Sequence, residues 1–185
     1  MHHSSQQKTL KSMDVGRQQA CRVLVCQHYK AVYRFMAYLT RDANLAEDLT
    51  QETFASAWAH IEHYQGRASL GTWLHRIAYR KFIDSRRKQR RRAALKTRLK
   101  QEPHHGSETL NPLYRLAADE HSRLLYEAML ELKSFEYIVI VLHYIQGLSF
   151  CEMAQVLEQP VGTVKWRTSQ ALKRLKALLT GRAEP

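Results

Sequence analysis

Proline and glycine are scarce in this chain, whose 185 residues include four prolines and seven glycines. Both residues interrupt helices, whereas leucine, alanine, arginine, lysine, glutamine and glutamate, which favour helices, are plentiful. Hydrophobic residues make up 44% of the chain, which is enough for a packed core and excludes an intrinsically disordered protein. The composition therefore favours a folded, mainly helical protein.

Long apolar runs and a disulfide framework are also missing. No run approaches the roughly 20 residues that a membrane span needs, and the polar residues 1–13 lack the apolar segment of a signal peptide. The three cysteines, Cys21, Cys26 and Cys151, are odd in number and irregularly spaced. We therefore expect a cytoplasmic protein without membrane insertion, whose cysteines are small buried side chains.

Patterns of catalytic residues are missing as well. The chain has no glycine-rich phosphate loop, no nucleophile motif and no paired acidic metal site with a histidine in position. Asp48 and Glu52, four residues apart on a predicted helix, could hold a metal ion, so a small nuclease or another nucleic-acid-processing enzyme stays an alternative. We favour a protein that is not an enzyme and uses no cofactor or metal.

Charge is plentiful and unevenly distributed. The formal net charge is +12, which is typical of a nucleic-acid-binding protein. Residues 42–66 contain no Lys or Arg and carry a net charge of −5, whereas residues 80–100 carry +10. A second basic segment, residues 159–182, has six basic residues and no acidic one. One acidic and two separate basic segments indicate different partners for different surfaces.

The N-terminal part of the chain predicts two helices in succession. Apolar residues recur at steps of three and four over residues 15–39 and again over residues 45–61. Between them, Asn44 is the expected N-cap of the second helix, and Glu47 completes a capping-box-like pair.

A third helix is predicted after a loop at residues 64–68. Ser69 or Thr72 is its expected N-cap, and its apolar stripe ends near Ile83. Helix-forming residues continue through the basic segment towards residue 100. A helix that is polar all round is either solvated or lies against a charged partner.

The C-terminal part begins with a predicted linker at residues 101–112, which collect two prolines, a glycine and polar residues. Residues 113–132 predict an amphipathic helix. Residues 136–144 predict a short, strongly apolar helix that ends at Gly147.

The last segment has the pattern of a helix-turn-helix. Ser149 and Glu152 form a capping box that opens a short helix to Leu157, residues 158–160 form a tight turn, and residues 161–179 predict a longer helix. Two helices joined by such a turn, with basic residues early in the second, are typical of duplex DNA binding.

Three segments resemble the conserved regions of one protein family. Residues 46–58 (AEDLTQETFASAW) are similar, almost letter for letter, to the second conserved region of the extracytoplasmic-function (ECF) sigma factors, a subfamily of the sigma-70 family of bacterial RNA polymerase sigma factors. Residues 70–78 (LGTWLHRIA) and the arginine run after Asp84 resemble the rest of that domain. Residues 147–165 resemble the family's fourth region.

The resemblance implies an all-α fold of two small helical domains joined by a flexible linker. It assigns residues 15–100 to sigma region 2, residues 101–112 to the linker and residues 113–182 to sigma region 4 with its helix-turn-helix. It implies an alternative sigma factor that binds core RNA polymerase, reads the single-stranded −10 element with region 2 and reads the duplex −35 element with region 4. The further partner that the family implies is an anti-sigma factor.

In this family the acidic helix docks on the coiled coil of the largest polymerase subunit. Two carboxylates and an amide at i, i+3 and i+4 would share one helix face here, and no Lys or Arg lies within the segment to neutralise them. An ordinary solvated helix face is the alternative. The implied core polymerase-binding residues are Asp48, Leu49, Gln51, Glu52 and Phe54.

The family reads the −10 element as a melted strand, with an extruded base in a pocket before the third helix. Aromatic platforms and cationic side chains suit this task, since bases stack and phosphates pair with arginine. For Tyr79, a place in the core is an equally good interpretation. The implied −10 DNA-binding residues are Tyr64, Gln65, Arg67, Ser69, Arg76, Tyr79, Arg80, Lys81, Arg86 and Arg87.

The family reads the −35 element with the second helix of the helix-turn-helix in the major groove. Glutamine suits adenine, and lysine or arginine suits guanine. Val164 and Leu172 are expected inside the domain. The implied −35 DNA-binding residues are Thr163, Lys165, Trp166, Arg167, Ser169, Gln170, Lys173 and Arg174.

The chain departs from the family pattern at several positions. Leu132-Lys133 stands where Leu-Pro is usual at the entry to region 4, and Glu158 stands at a turn position that usually holds glycine. Trp166 replaces a small polar residue, and Gln170 and Leu172 replace frequent arginines. We therefore expect an unusual −35 sequence. The alternative function is a two-domain helix-turn-helix regulator that binds a ligand within residues 15–100 and acts without polymerase.

Overall fold

The computed structural model describes residues 25–98 and 120–181, and within these two stretches the fold is all-α, as predicted. The predicted linker and the first ten residues of the predicted first helix lie outside the described residues. None of the helices in the described stretches has both the length and the apolar character needed to cross a bilayer. The helices are α1 (residues 25–40), α2 (Ala43–His60), α3 (Leu70–Arg98), α4 (Glu120–Leu130), α5 (Ser134–Ile140), α6 (Phe150–Leu157) and α7 (Val161–Thr180).

The junction between α1 and α2 is a two-residue reversal. Arg41 takes up a left-handed backbone conformation with φ 59°, and Asp42 is the N-cap of α2. One carboxylate oxygen of Asp42 accepts from the amides of Asn44 and Leu45, at 2.9 and 3.1 Å. The prediction of Asn44 as N-cap was therefore wrong by two residues, because a charged carboxylate at a helix N-terminus satisfies two free amides at once.

Helix α3 is the longest helix of the described residues, with 29 residues and a length of about 43 Å. Its N-cap is Ser69, whose hydroxyl oxygen accepts from the Thr72 amide at 3.1 Å. Beyond Ser85 every side chain up to residue 95 is exposed. The prediction that the helix continues through the basic segment is confirmed as far as Arg98.

The helix-turn-helix forms as predicted. In the capping box of α6, the Glu152 carboxylate accepts from the Ser149 amide at 2.9 Å, and the Ser149 hydroxyl accepts from the Glu152 amide at 3.3 Å. The helix ends at Glu158, which is left-handed with φ 54°. Before α6, helix α5 continues into a π-helical turn at Val141–Ile145, and Gly147, with φ 72°, ends it.

The two halves of the chain pack on each other around one hydrophobic core. Helix α3 of the first half lies against α6 of the second, and within the second half α5 lies against α7. Phe35, Met36 and Leu74 from the first half and Leu142 and Met153 from the second are fully buried in the same cluster. Burial of these apolar side chains is the main favourable contribution to the packing. The sequence predicted two domains but not this contact between them.

Three side chains that were expected inside lie at the surface. Cys26 and Cys151 are both exposed, because the neighbouring buried positions on α1 and α6 fall on other faces of those helices. Leu172 is 38% exposed. The buried stripe of α7 runs through Val164, Thr168, Ala171 and Leu175, and Leu172 lies beside it.

Candidate nucleic-acid interface and partner surfaces

The acidic face of α2 lies on the surface of the protein. Asp48, Gln51 and Glu52 are exposed. The opposite face is buried, and its threonine hydroxyls, Thr50 and Thr53, donate to backbone carbonyls one turn back, both at 2.6 Å. Because both hydroxyls are paired, the buried face can pack in the core without an unsatisfied polar group. Packing of this face leaves the carboxylates on the outward side of the helix.

The remaining residues predicted for polymerase binding have different environments. Leu49 is 3% exposed and belongs to the core, so it holds the helix in place. Phe54 is half-buried, and its ring stacks on that of Tyr29 with centroids 5.9 Å apart. Lys81 of α3 reaches Glu52 at 3.5 Å. The acidic face is thus partly neutralised by a residue distant in sequence, which the absence of Lys and Arg within residues 42–66 did not reveal.

The loop before α3 is closed by its own hydrogen bond. The Tyr64 hydroxyl donates to the Ala68 carbonyl at 2.6 Å, and the Tyr64 ring lies 5.2 Å from that of Trp73. Gly66 has φ 68°, a left-handed conformation that glycine adopts without strain. Gln65 and Arg67 project from this small ring into solvent.

The predicted −10 residues on α3 fall into two groups. Tyr79 is half-buried against the core, and burial raises the pKa of its hydroxyl above the ordinary value. The charged members are more accessible: the Arg86 guanidinium lies 5.9 Å from the centre of the Phe82 ring, and Arg87 lies 3.8 Å from Asp84. These exposed contacts hold the cations loosely.

One face of α3, formed by Ser69, Thr72, Arg76 and Arg80, meets the helix-turn-helix. The Thr72 hydroxyl donates to Glu152 at 3.0 Å. Arg76 donates through Nε to Glu158 at 3.0 Å, and Arg80 donates to the same carboxylate oxygen. Two residues of the predicted −10 site are therefore paired with an acidic residue of the turn between α6 and α7.

The two glutamates of this contact are held in their charged forms. Partial burial acts to raise the pKa of Glu158, but hydrogen bonds and charges from Arg80 and Arg76 outweigh it and leave the pKa below its ordinary value. Hydrogen bonds from the Ser149 amide and hydroxyl lower the pKa of Glu152, with smaller contributions from Thr72 and Ser69. Both carboxylates therefore remain negative near neutral pH.

A buried histidine lies behind the same face. The His75 Nδ1 atom is 2.7 Å from the Gly71 carbonyl, and its Nε2 atom is 3.3 Å from the Gln146 side-chain oxygen. Burial lowers the pKa of His75, so its ring is neutral and carries one N–H, which the Gly71 carbonyl requires at Nδ1. Rotating the Gln146 amide lets its nitrogen, which is otherwise buried without a partner, donate to Nε2.

Helix α7 presents a continuous exposed face. Its members recur at steps of three and four residues along about three turns of helix, opposite the buried stripe. Trp166 is 61% exposed, an unusual position for the largest apolar side chain. The predicted −35 residues on this face are Lys165, Trp166, Ser169, Gln170 and Lys173.

The other predicted −35 residues flank this face. The Arg167 guanidinium lies 4.4 Å from the centre of the Phe135 ring, and Arg174 lies 3.9 Å from Glu136, so both contact residues of α5. Thr163 is half-buried in the first turn of α7. The structure thus divides the predicted −35 residues into an exposed face of α7 and a flanking group.

Most residues that join the two halves could not be predicted from the sequence. Thr72 was expected only as a possible N-cap, and His75 and Gln146 had no signal beyond their helical setting, since the partners of all three lie more than 70 residues away. Glu152 was identified only as part of a capping box, and Glu158 only as an unusual turn residue. Within residues 25–98 and 120–181, no three His, Cys, Asp or Glu side chains cluster in a way that could hold a metal ion.

Comparisons with known proteins identify two conserved regions in the chain. The family described as "Sigma-70 region 2" matches residues 24–92, and "Sigma-70, region 4" matches residues 122–175. The chain is 30% identical to the ECF RNA polymerase sigma factor SigW of Bacillus subtilis over 183 residues, covering 93% of this chain and 95% of that protein. It is 32% identical to SigM of the same organism, covering 80% and 87%.

Solved structures show the same fold. A chain in the co-crystal structure of the sigma factor RpoE with the anti-sigma factor NepR from Bartonella quintana matches with a TM-score of 0.66 at 25% identity, covering 88% of this chain and 96% of that one. A chain in the structure of CnrH with the cytosolic domain of CnrY matches with a TM-score of 0.65. With both conserved regions present in order and with relatives similar over nearly their whole length, the chain belongs to the ECF RNA polymerase sigma factors, alternative sigma factors that direct transcription initiation.

Proposed function

We propose that this sigma factor divides its work among three surfaces on two domains. The domain with residues 15–100 docks on core RNA polymerase through α2 and holds the melted −10 strand with α3 and the loop before it. The domain with residues 113–182 reads the −35 element with α7, and residues 101–112 connect the two. The alternative, a regulator that acts without polymerase, is not favoured, because the whole first half matches the sigma region 2 family.

The exposed face of α7 is the single observation that carries the −35 assignment. Lys165, Gln170 and Lys173 offer hydrogen-bond donors for base edges or phosphates, and Gln170 can also accept. Trp166 adds an apolar surface that suits the methyl group of thymine or the sugar backbone. With tryptophan at the centre of this face, we expect an A·T-containing −35 sequence.

For the −10 element, the loop at residues 64–69 and the cations of α3 supply complementary contacts. Gln65 and Arg67 project from a loop that is already closed by Tyr64, so little ordering is needed when a base enters. Arg76, Arg80 and the exposed Arg86 and Arg87 follow along α3 and can pair with successive phosphates.

For polymerase docking, the carboxylates of Asp48 and Glu52 are the central contacts, and Gln51 lies between them. Their exposure on a firmly packed helix suits a basic partner helix. Leu49 acts by positioning this helix from the core, and Phe54 contributes its half-buried ring at the edge.

Three further properties follow from membership in the family. We propose that an anti-sigma factor binds this chain, as one does the matching RpoE chain, and that the protein works in the cytoplasm where polymerase is found. We also propose that it has no catalytic activity of its own, so that the chemistry of RNA synthesis belongs to the core enzyme.

Run-off transcription with core polymerase on genomic fragments tests this function and reveals the promoter at the same time. Once a promoter is known, Lys165→Ala with Gln170→Ala should reduce transcription from the duplex template by about tenfold or more, since each base contact contributes about 1–3 kcal/mol. The double variant should leave a template without a −35 element unaffected. Lys176→Ala, an exposed lysine at the far end of the same helix, is the control. A protein that supports no initiation with any core enzyme would refute the proposal.

A further inference from the structure

The face of α3 that holds the proposed −10 contacts is covered by the protein's own helix-turn-helix. Ser69, Arg76 and Arg80 belong to that face, and Glu152 and Glu158 lie across from it. A DNA strand that paired its phosphates with Arg76 and Arg80 would need the space and the donors that Glu158 now uses. Strand binding and this contact therefore exclude each other.

The second half of the chain also lies opposite α3 further along the helix. Arg86 and Arg87 line a cleft of about 410 Å³ whose opposite wall includes Leu130, Tyr137 and Ile138 from the second half. The four arginines that α3 contributes to the proposed −10 site thus all lie at the boundary between the two halves. The first pair is engaged by a carboxylate, and the second pair lines a cleft.

Glu158 is an unexpected residue for its place in the chain. Its φ of 54° is left-handed, a conformation that strains any side chain with a Cβ and that glycine adopts freely. Glycine would therefore adopt this turn with less backbone strain than glutamate. What the carboxylate adds is its ion pairs with Arg76 and Arg80, which are made only when the two halves are together.

We propose that Glu158 is an intramolecular mimic of a DNA phosphate that occupies the −10 arginines and, together with the shared apolar core, keeps the free sigma factor in a closed, self-inhibited state. This inference rests on the proposed function, in which Arg76 and Arg80 bind the −10 strand. The carboxylate presents its oxygen to the same guanidinium donors that a phosphate would use. Opening the α3–α6 contact releases Arg76 and Arg80 for the −10 strand, whereas the −35 face of α7 is already exposed in the closed state.

The ion pairs of the α3–α6 contact are exposed and can therefore be displaced. Arg76, Arg80 and Glu158 keep 44%, 56% and 50% of their side chains exposed, so each ion pair is screened by water and salt. Competing phosphates or a bound polymerase can therefore displace the carboxylate without breaking a fully buried pair. Closure is expected to weaken as ionic strength rises.

Two substitutions at one position separate charge from backbone strain. Glu158→Gln removes the charge and keeps the side-chain size, whereas Glu158→Gly removes the side chain and relieves the turn. Glu47→Gln is the control, because it changes the net charge by the same amount on exposed α2, away from the α3–α6 contact. All three are made in the full-length protein, and circular dichroism and thermal unfolding verify that the helices form.

The first measurement is the distance between the halves. Cys26 on α1 and Cys151 on α6 are both exposed, and in a Cys21→Ser background each accepts a nitroxide label. Pulsed electron paramagnetic resonance should give one narrow distance distribution for the parent protein and for Glu47→Gln. Both Glu158 variants should broaden it and shift it to longer distances. An unchanged distribution in both overturns the inference.

The second measurement is affinity for a single-stranded oligonucleotide without polymerase. The Glu158 variants should bind about fivefold more tightly than the parent at low salt, as expected from losing two exposed ion pairs. An equal gain in Glu47→Gln would mean a general charge effect and overturn the inference. If Arg76→Gln weakens strand binding and Glu158→Gln changes nothing, the inference fails and the −10 assignment stands. If Arg76→Gln and Arg80→Gln leave strand binding intact, the −10 assignment fails, and with it the inhibitory role of Glu158.

Discussion

The hydroxyl of Tyr137 donates a hydrogen bond to the backbone carbonyl of Tyr38 at 3.0 Å, across 99 residues of sequence. Tyr38 lies in the last turn of α1, where the carbonyls have no partner further along the helix. Burial raises the pKa of the Tyr137 hydroxyl, which therefore stays protonated and remains a donor throughout the physiological range. A side chain of the second half thus caps a helix of the first.

Removing this hydroxyl tests how strongly the two halves stabilise each other. Tyr137→Phe should lower the free energy of unfolding by about 1 kcal/mol, because the ring stays in place and a partly buried carbonyl loses its partner. Urea unfolding followed by circular dichroism measures the change. Tyr144→Phe, at a position 56% exposed, is the matched control and should cost little. Equal effects of the two substitutions would contradict the role of the Tyr38 contact.

The burial of His75 predicts that the folded protein loses stability in mild acid. Its pKa is lowered in the folded protein, first by burial and further by electrostatic interactions with His28 and Arg34, against the opposing hydrogen bond to the Gly71 carbonyl. The unfolded chain therefore takes up the proton at higher pH than the folded one does. The contribution of neutral His75 to the free energy of unfolding is complete above the ordinary histidine pKa of about 6.5. This contribution is lost as the pH falls below that value.

Urea unfolding between pH 8 and pH 5 measures this effect. The free energy of unfolding should fall with pH more steeply in the parent than in His75→Phe, which keeps an aromatic ring beside Phe35 but cannot titrate. The difference between the two profiles removes the contribution of the other histidines. Parallel profiles would show that His75 does not titrate differently on folding.

The acidic face of α2 predicts a charge-dependent interaction with core polymerase. Asp48→Lys with Glu52→Lys should abolish co-purification with the core enzyme while leaving the helical content intact, since both side chains are exposed. Loss of the Glu52–Lys81 pair should cost less than about 1 kcal/mol of stability. Glu131→Lys, an exposed residue of the second half, is the control. Unchanged binding by the double variant would remove the docking assignment.

The closed loop before α3 predicts a specific defect at the melted −10 element. Tyr64→Phe removes the hydrogen bond to the Ala68 carbonyl and should reduce transcription from a pre-melted template by about fivefold, because the loop must then be ordered on binding. Tyr33→Phe, a half-buried tyrosine on α1, controls for the general loss of a hydroxyl. A defect confined to duplex templates with an intact −35 element would argue against the loop as the −10 reader.

Much of the candidate site could be predicted from short-range patterns. The exposed carboxylates of α2, the continuation of α3 through the basic segment and the capping box of Ser149 and Glu152 follow from residues within one or two helical turns of each other. Where the prediction was wrong, a residue close by in the chain occupied the predicted position. Asp42 proved the better cap than Asn44, and Leu172 lies just off the buried stripe of α7.

Sequence by itself determined the helices, the caps of α3 and α6, the three motifs and hence the family, because each is encoded by residues close together in the chain. Tertiary structure alone decided which of the predicted contacts are available. It placed Lys81 against Glu52, packed Arg167 and Arg174 on α5, and brought Glu158 to Arg76 and Arg80. The physical reason is that long-range ion pairs leave no periodic signal: they depend on how two helical surfaces meet, and that is set by burial of a shared core.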